Sequence, residues 1–229
     1  MSAPEEVPGQ PQRDVFTRLA LIEESMEDDE VDITDARPID SALSVEEFEA
    51  RASEELQTRG TQISELRSLQ VDFLMQAAAS GELPAVQEMI PRDLEVNVID
   101  SDEWTPLHWA AVEAQTHVVQ WLVANGANVN MQNSDGETPL FCAAHAGDVD
   151  CVRALLEASA DVDVLTTDGD TALHIAADSG HEEVAVLLVQ HGADVALKDS
   201  DGRSVQEDYA RNMPQLRVAV QLALKKKDK

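Results

Sequence analysis

Aromatic residues make up only 3% of this 229-residue sequence. A core must therefore rest on Ala, Val and Leu, which suits small packed helices better than a large sandwich or barrel. Basic residues are scarce too: 16 Lys and Arg stand against 45 Asp and Glu, for a formal net charge of −29. The excess is spread along the chain, with 18 acids to 5 bases in residues 1–65 and 27 to 11 in the remainder. Such a field repels nucleic acid and anionic lipid and draws in a basic partner, although acidity also serves solubility alone. The two cysteines, Cys142 and Cys151, make no disulfide framework for a chain of this size. A reducing compartment is expected, the cytoplasm with the nucleus as the alternative. No run reaches the 18 or more apolar residues of a membrane helix. The opening MSAPEEVPGQ has neither the basic start nor the apolar stretch of a signal peptide, so none is expected.

What the sequence does have is a repeat. Thr105-Pro106-Leu107-His108 returns as Thr138-Pro139-Leu140-Phe141 and as Thr171-Ala172-Leu173-His174, each step being 33 residues. Ala110-Ala111 returns as Ala143-Ala144 and Ala176-Ala177, and Leu122 as Leu155 and Leu188. Ala127-Asn128-Val129, Ala160-Asp161-Val162 and Ala193-Asp194-Val195 keep the same step without a gap. Asp135-Gly136 and Asp168-Gly169 supply turn chemistry. Each Thr can cap a helix, with Pro at ease in its first turn. Gly147 and Gly180 end the first helix of a unit, Gly126 and Gly192 the second. Three departures stand out: Glu103, Ala114 and Ser159 occupy places where glycine is expected.

On these residues the sequence resembles the ankyrin-repeat family over about residues 67–229. The resemblance implies an all-α solenoid whose unit is a β-turn followed by two antiparallel helices. Five units are expected, at about 67–99, 100–132, 133–165, 166–198 and 199–229. The outer two are degenerate, as terminal repeats facing water should be. The first keeps Phe73-Leu74, Ala77-Ala78 and Gly81 in register; the last keeps Asp201-Gly202 and Tyr209-Ala210 but has Gln206 in a core leucine column.

Residues 1–66 form an acidic extension without that signature. Its Pro- and Gly-containing start, with Pro4, Pro8, Gly9 and Pro11, reads as a disordered tail. Val15, Leu19, Ile22 and Met26 make one apolar stripe of an amphipathic helix over 14–27. A second helix is expected over 45–66, opened by a Ser44/Glu47 capping box. Between them lies an acidic break. These helices either fold back over the first repeat or form an arm that folds on a partner. Ser25, followed by Met-Glu-Asp-Asp-Glu, fits the substrate pattern of an acid-directed kinase.

No catalytic, cofactor-binding or metal-binding residue is expected. His108 and His174 occupy the family's Thr-Pro-Leu-His column, where the resemblance implies bonds to neighbouring loop backbone. His181 follows Gly180 and His191 precedes Gly192, both common framework places, while His117 and His145 lie in different units with no Cys or carboxylate at ligand spacing. Cys142 and Cys151 fall in apolar columns, beside no nucleophile motif, and read as buried packing groups. No glycine-rich phosphate loop is present. Val71-x-Phe73 resembles the docking element of phosphatase-targeting ankyrin proteins but lacks its basic residue, and Phe73 falls in register with a core column.

The expected role is that of a non-catalytic interaction module or adaptor. The resemblance implies a concave surface built from the β-turn tips and the inner faces of the first helices. Projected onto this sequence, it contains Ser101, Asp102 and Trp104 with Glu113; Ser134, Asp135 and Glu137 with His145; and Thr167, Asp168 and Asp170 with Asp178 and Ser179. Trp104 shares its column with Glu137 and Asp170, a solvent-facing place that makes it the expected interface anchor. Trp109 and Trp121 sit in packing columns. The expected partner is a protein with a basic segment, with neither nucleic acid nor membrane involved. The alternatives are a regulatory or targeting subunit of an enzyme such as a phosphatase or kinase, and a structural subunit of a larger assembly.

Overall fold

The computed structural model describes residues 63–227 other than 93, 200, 208, 210 and 211. The contacts divide the chain between Phe73 and Leu74, and the packing below is that of the second part. The helices are α1 (Ile63–Ser80), α2 (Leu83–Arg92), α3 (Pro106–Val112), α4 (Thr116–Ala124), α5 (Pro139–Ala146), α6 (Val149–Glu157), α7 (Ala172–Asp178), α8 (Glu182–Gln190) and α9 (Pro214–Lys227). Among the described residues there is no strand, only an isolated bridge between Lys198 and Ser204.

Each short first helix begins where its sequence says it should. Thr105, Thr138 and Thr171 hold extended backbone, and each Oγ1 accepts the amide three residues on at 3.3 Å. This satisfies a donor that no helical carbonyl can reach. Pro106 and Pro139 fill the first helical position, where a missing N–H costs nothing. In α3 and α7 the histidine returns the bond, its Nδ1 accepting the threonine N–H at 3.1 and 3.2 Å. Phe141 cannot do this, so α5 is capped from one side only.

The first helices pack in a row, α3 on α5 on α7, and the second helices in another, α2 on α4 on α6 on α8, with α9 closing against α8. Leu107, Leu140 and Leu173 are at most 1% exposed, and Leu122, Leu155 and Leu188 are fully buried. A buried leucine contributes about 2 kcal/mol of transfer free energy. The alanine pairs between them leave no side chain to hold the first helices apart. Alanine and leucine thus carry a core that has few aromatics to use.

Two ladders fasten one unit to the next. Oδ1 of Asn97, Asn130 and Asp163 accepts the backbone N–H of Asn128, Asp161 and Asp194 at 2.8–2.9 Å. Ala196 takes the next place in that column and has no such acceptor. At the tips, the carbonyl of Asp102 accepts the Ser134 N–H at 3.2 Å. The Asp135 carbonyl accepts both the N–H and the hydroxyl of Thr167, at 2.9 and 3.0 Å.

The three departures from glycine adopt the backbone that glycine would. Glu103, Ala114 and Ser159 have φ of 63°, 55° and 65°. Gly136, with φ of 77°, is under a second constraint, since a Cβ there would lie 2.9 Å from the Thr167 backbone N in the next tip.

The last unit is reduced. Among its described residues no α-helix precedes α9; residues 205–207 form a turn, and Tyr209 has 3-10 conformation. Gln206, in the column of Leu107, Leu140 and Leu173, is exposed rather than buried. An amide side chain there provides none of the apolar burial that holds the other first helices down. At the other end, α1 runs unbroken through residues 66 and 67, where the repeat signature was expected to begin. Val71 and Phe73 are buried, in keeping with the core reading of that motif. The helix expected over 14–27, Ser25, and all but residues 63–66 of the helix expected over 45–66 lie outside the described residues.

Candidate protein interface

Every tip is organised by one oxygen. Asp100 Oδ1 accepts the amides of Asp102 and Trp104 at 2.9 and 3.0 Å. Asn133 Oδ1 does the same for Asp135 and Glu137 at 3.0 and 2.9 Å. Thr166 Oγ1 accepts from Asp170 at 3.1 Å, and Asp199 Oδ1 from Arg203 at 2.8 Å. These positions are 33 residues apart, and three residue types there hold the same turn, whose backbone donors would otherwise go unpaired.

On that frame, Ser101, Glu113, Ser134, Asp135, His145, Thr167, Asp168, Asp178 and Ser179 are exposed, while Asp102, Trp104, Glu137 and Asp170 are half-buried. Glu113 and Ser179 end α3 and α7 as their C-terminal caps. Glu137 is not wholly turned to solvent, because its Oε2 accepts from Asn133 Nδ2 at 2.8 Å. Partial burial raises the Asp170 carboxyl above the usual carboxylate range, with Asp199 and Asp168 adding repulsion.

Trp104 differs from the expectation of a free aromatic at a tip. It is half-buried, its ring 4.9 Å from that of Trp109 and tilted by 41°, with the His108 ring 5.8 Å away. Its backbone N–H is held by Asp100, and Asp100 Oδ2 accepts the Trp109 indole N–H at 3.1 Å. Trp109 is likewise half-buried rather than a plain packing residue. The two indoles and Asp100 form one cluster at the first full tip. Reading each column separately hides it, because its members are four, five and nine residues apart and not 33.

Five of the six histidines serve the scaffold. His108 Nδ1 accepts from Thr105, so Nε2 carries the proton and donates to the carbonyls of Met131 and Glu137, both at 3.1 Å. Burial lowers its pKa to about 4, against the opposing pull of those carbonyls and of Asp100. His174 Nε2 bonds the Leu197 carbonyl at 3.0 Å. His117 and His181 reach back to carbonyls of the preceding unit, Gly81 at 2.8 Å and His145 at 3.0 Å. His191 Nδ1 bonds the Leu187 carbonyl at 2.9 Å. Cys142 and Cys151 are free thiols and buried. Burial pushes Cys151 up to about 12, and Cys142 is also raised by burial. Among the described residues no group of three or more His, Cys, Asp or Glu is arranged to hold a metal ion, and no helix is long and apolar enough to cross a membrane.

Charge is distributed unevenly across the repeats. Residues 93–197 contain 19 Asp and Glu and a single basic residue, Arg153, once the arginine at 92 is passed. Arg153 lies on α6, in the row of second helices, so the tips and first helices of the three full units carry no Lys or Arg at all.

Comparison with curated proteins gives no match. A family model described as ankyrin repeats matches three overlapping stretches, residues 54–133, 74–165 and 112–199. These matches, the 33-residue step and the paired rows of capped helices agree, and the chain belongs to the ankyrin-repeat family, whose repeats generally mediate protein–protein interaction.

Proposed function

We propose that this chain is a non-catalytic adaptor that binds a basic segment of a partner protein across its tips and first helices. The observation that supports the reading is the single-signed face: exposed Asp135 and Asp168 hold the same place in successive units, exposed Asp178 lies on the first helix behind, and the tips and first helices of these units contribute no lysine or arginine. A surface of one sign, displayed on a rigid scaffold, accelerates encounter with an opposite charge and discriminates against acidic proteins. The residues in play are Ser101, Asp102, Trp104, Glu113, Ser134, Asp135, Glu137, His145, Thr167, Asp168, Asp170, Asp178 and Ser179.

The test is calorimetric titration of the full chain with a lysine-rich peptide and with its glutamate-rich counterpart. The lysine peptide should bind, more weakly as salt rises, and the glutamate peptide should not. The double charge reversal Asp135→Lys, Asp168→Lys should weaken binding by about tenfold. Binding that ignores both salt and the reversal would remove the acidic face from the reading.

A further inference from the structure

The first and last tips hold versions of one arrangement. In the last, Asp199 Oδ2 accepts the Tyr209 hydroxyl at 3.0 Å and the Arg203 Nε–H at 2.9 Å, and the Arg203 guanidinium lies over the Tyr209 ring, 5.2 Å from its centre. Carboxylate, aromatic ring and cation complete one another. Burial works against the Asp199 charge, but the bonds from Arg203 and Tyr209 hold its carboxyl below the usual range. In the first tip, 99 residues earlier, Asp100 stands where Asp199 does and Trp104 where Arg203 does. Asp100 Oδ2 again accepts the polar edge of an aromatic ring, Trp109 Nε1, at 3.1 Å. Here the third place is taken by a second ring instead of a cation.

A pair of indoles beside a carboxylate attracts a cation through the ring quadrupole and the formal charge together. Among the described residues, the first tip has no cation of its own. Residues 94–152 include no Lys or Arg, and His108, beneath Trp104, is kept neutral by burial. Both indoles keep part of their surface in solvent.

We infer that the Trp104–Trp109 pair with Asp100 is the seat for one arginine side chain of the partner, whose guanidinium stacks on the exposed indole surface as Arg203 covers Tyr209. Arginine suits the place better than lysine because its planar, weakly hydrated cation stacks on an aromatic face. This rests on the acidic-face reading and assigns a specific contact within it.

The experiment uses the full ¹⁵N-labelled chain and two acetylated, amidated peptides of alternating Lys and Ser. One has a single central Arg, the other citrulline, its uncharged isostere, at the same place. The indole N–H signals of Trp104 and Trp109 should shift with the Arg peptide while that of Trp121 stays. The Arg peptide should bind about threefold more tightly than its twin. Trp104→Leu should abolish that difference, bringing the Arg peptide down to the affinity of its twin. Equal binding of the twins to the native chain, or a difference that survives Trp104→Leu, overturns the arginine seat and leaves the acidic face standing. If neither peptide binds at low salt, both readings fall.

Discussion

Replacing Glu103, Ala114 and Ser159 by glycine should stabilise the protein, although each change removes a side chain. All three residues hold φ between 55° and 65°. That backbone costs an L-residue roughly 1–2 kcal/mol through its Cβ. Glycine escapes the clash but has more freedom to lose on folding, an offset of roughly 0.5–1 kcal/mol. Each single change should therefore gain about 0.5–1 kcal/mol, and the triple variant about 2 kcal/mol, since the positions lie in separate turns. For a folded unit of this size the triple gain corresponds to a rise of about 4–8 °C in Tm. Ala114, half-buried, should gain least because its methyl is lost from packing; Glu103 and Ser159 are more open to solvent. The reverse change supplies the control. Gly136→Ala would place a Cβ 2.9 Å from the Thr167 backbone N, straining the tip-to-tip bonds, and should cost about 2–3 kcal/mol. Scanning calorimetry with urea melts gives both numbers. Three glycine variants no more stable than the parent, or a harmless Gly136→Ala, would refute the claim that backbone strain is stored at these turns.

Acid should weaken the fold through His108. With a folded pKa of about 4 against roughly 6.5 when unfolded, the unfolded chain takes up a proton that the native chain refuses. Stability is therefore complete above about pH 6.5 and declines toward pH 4, by roughly 3 kcal/mol if fully expressed. Urea midpoints between pH 7 and 5 should show this slope, and His108→Phe, which copies Phe141, should flatten it by up to one proton. Asn130→Ala removes an inter-unit acceptor and leaves the Asp161 amide to water, a loss of about 1 kcal/mol readable in the same melts. Both cysteines should react with a thiol reagent only at the rate of opening, so modification without urea in the mixing time would contradict their burial.

Much of this architecture was legible because the signals are local or periodic. Threonine before Pro-Leu marks the caps, leucine and alanine columns mark the rows, and the missing glycines at 103, 114 and 159 mark positive φ. What stayed hidden involves pairs outside the 33-residue step. The Asn97, Asn130 and Asp163 ladder links residues 31 apart. The turn-holding column uses Asp, Asn, Thr and Asp in succession, so no single letter betrays it. Trp104 looked solvent-facing because Glu137 and Asp170 fill its column in the next two units; only the fold brings Trp109 and Asp100 to it. Gln206 announced a weak terminal unit, but not that residues 205–207 would form a turn.

The ladders between units run in one direction, each unit offering oxygen to amides of the unit that follows. If residues 133–165 were excised, Asn130 would meet the Asp194 amide in place of that of Asp161, and the Asp102 carbonyl would meet Thr167 in place of Ser134. Both ladders would be remade from parts of the same chemistry. Whole units can thus be gained or lost with these two ladders kept, so the number of tips can change more readily than the way each is joined to the next.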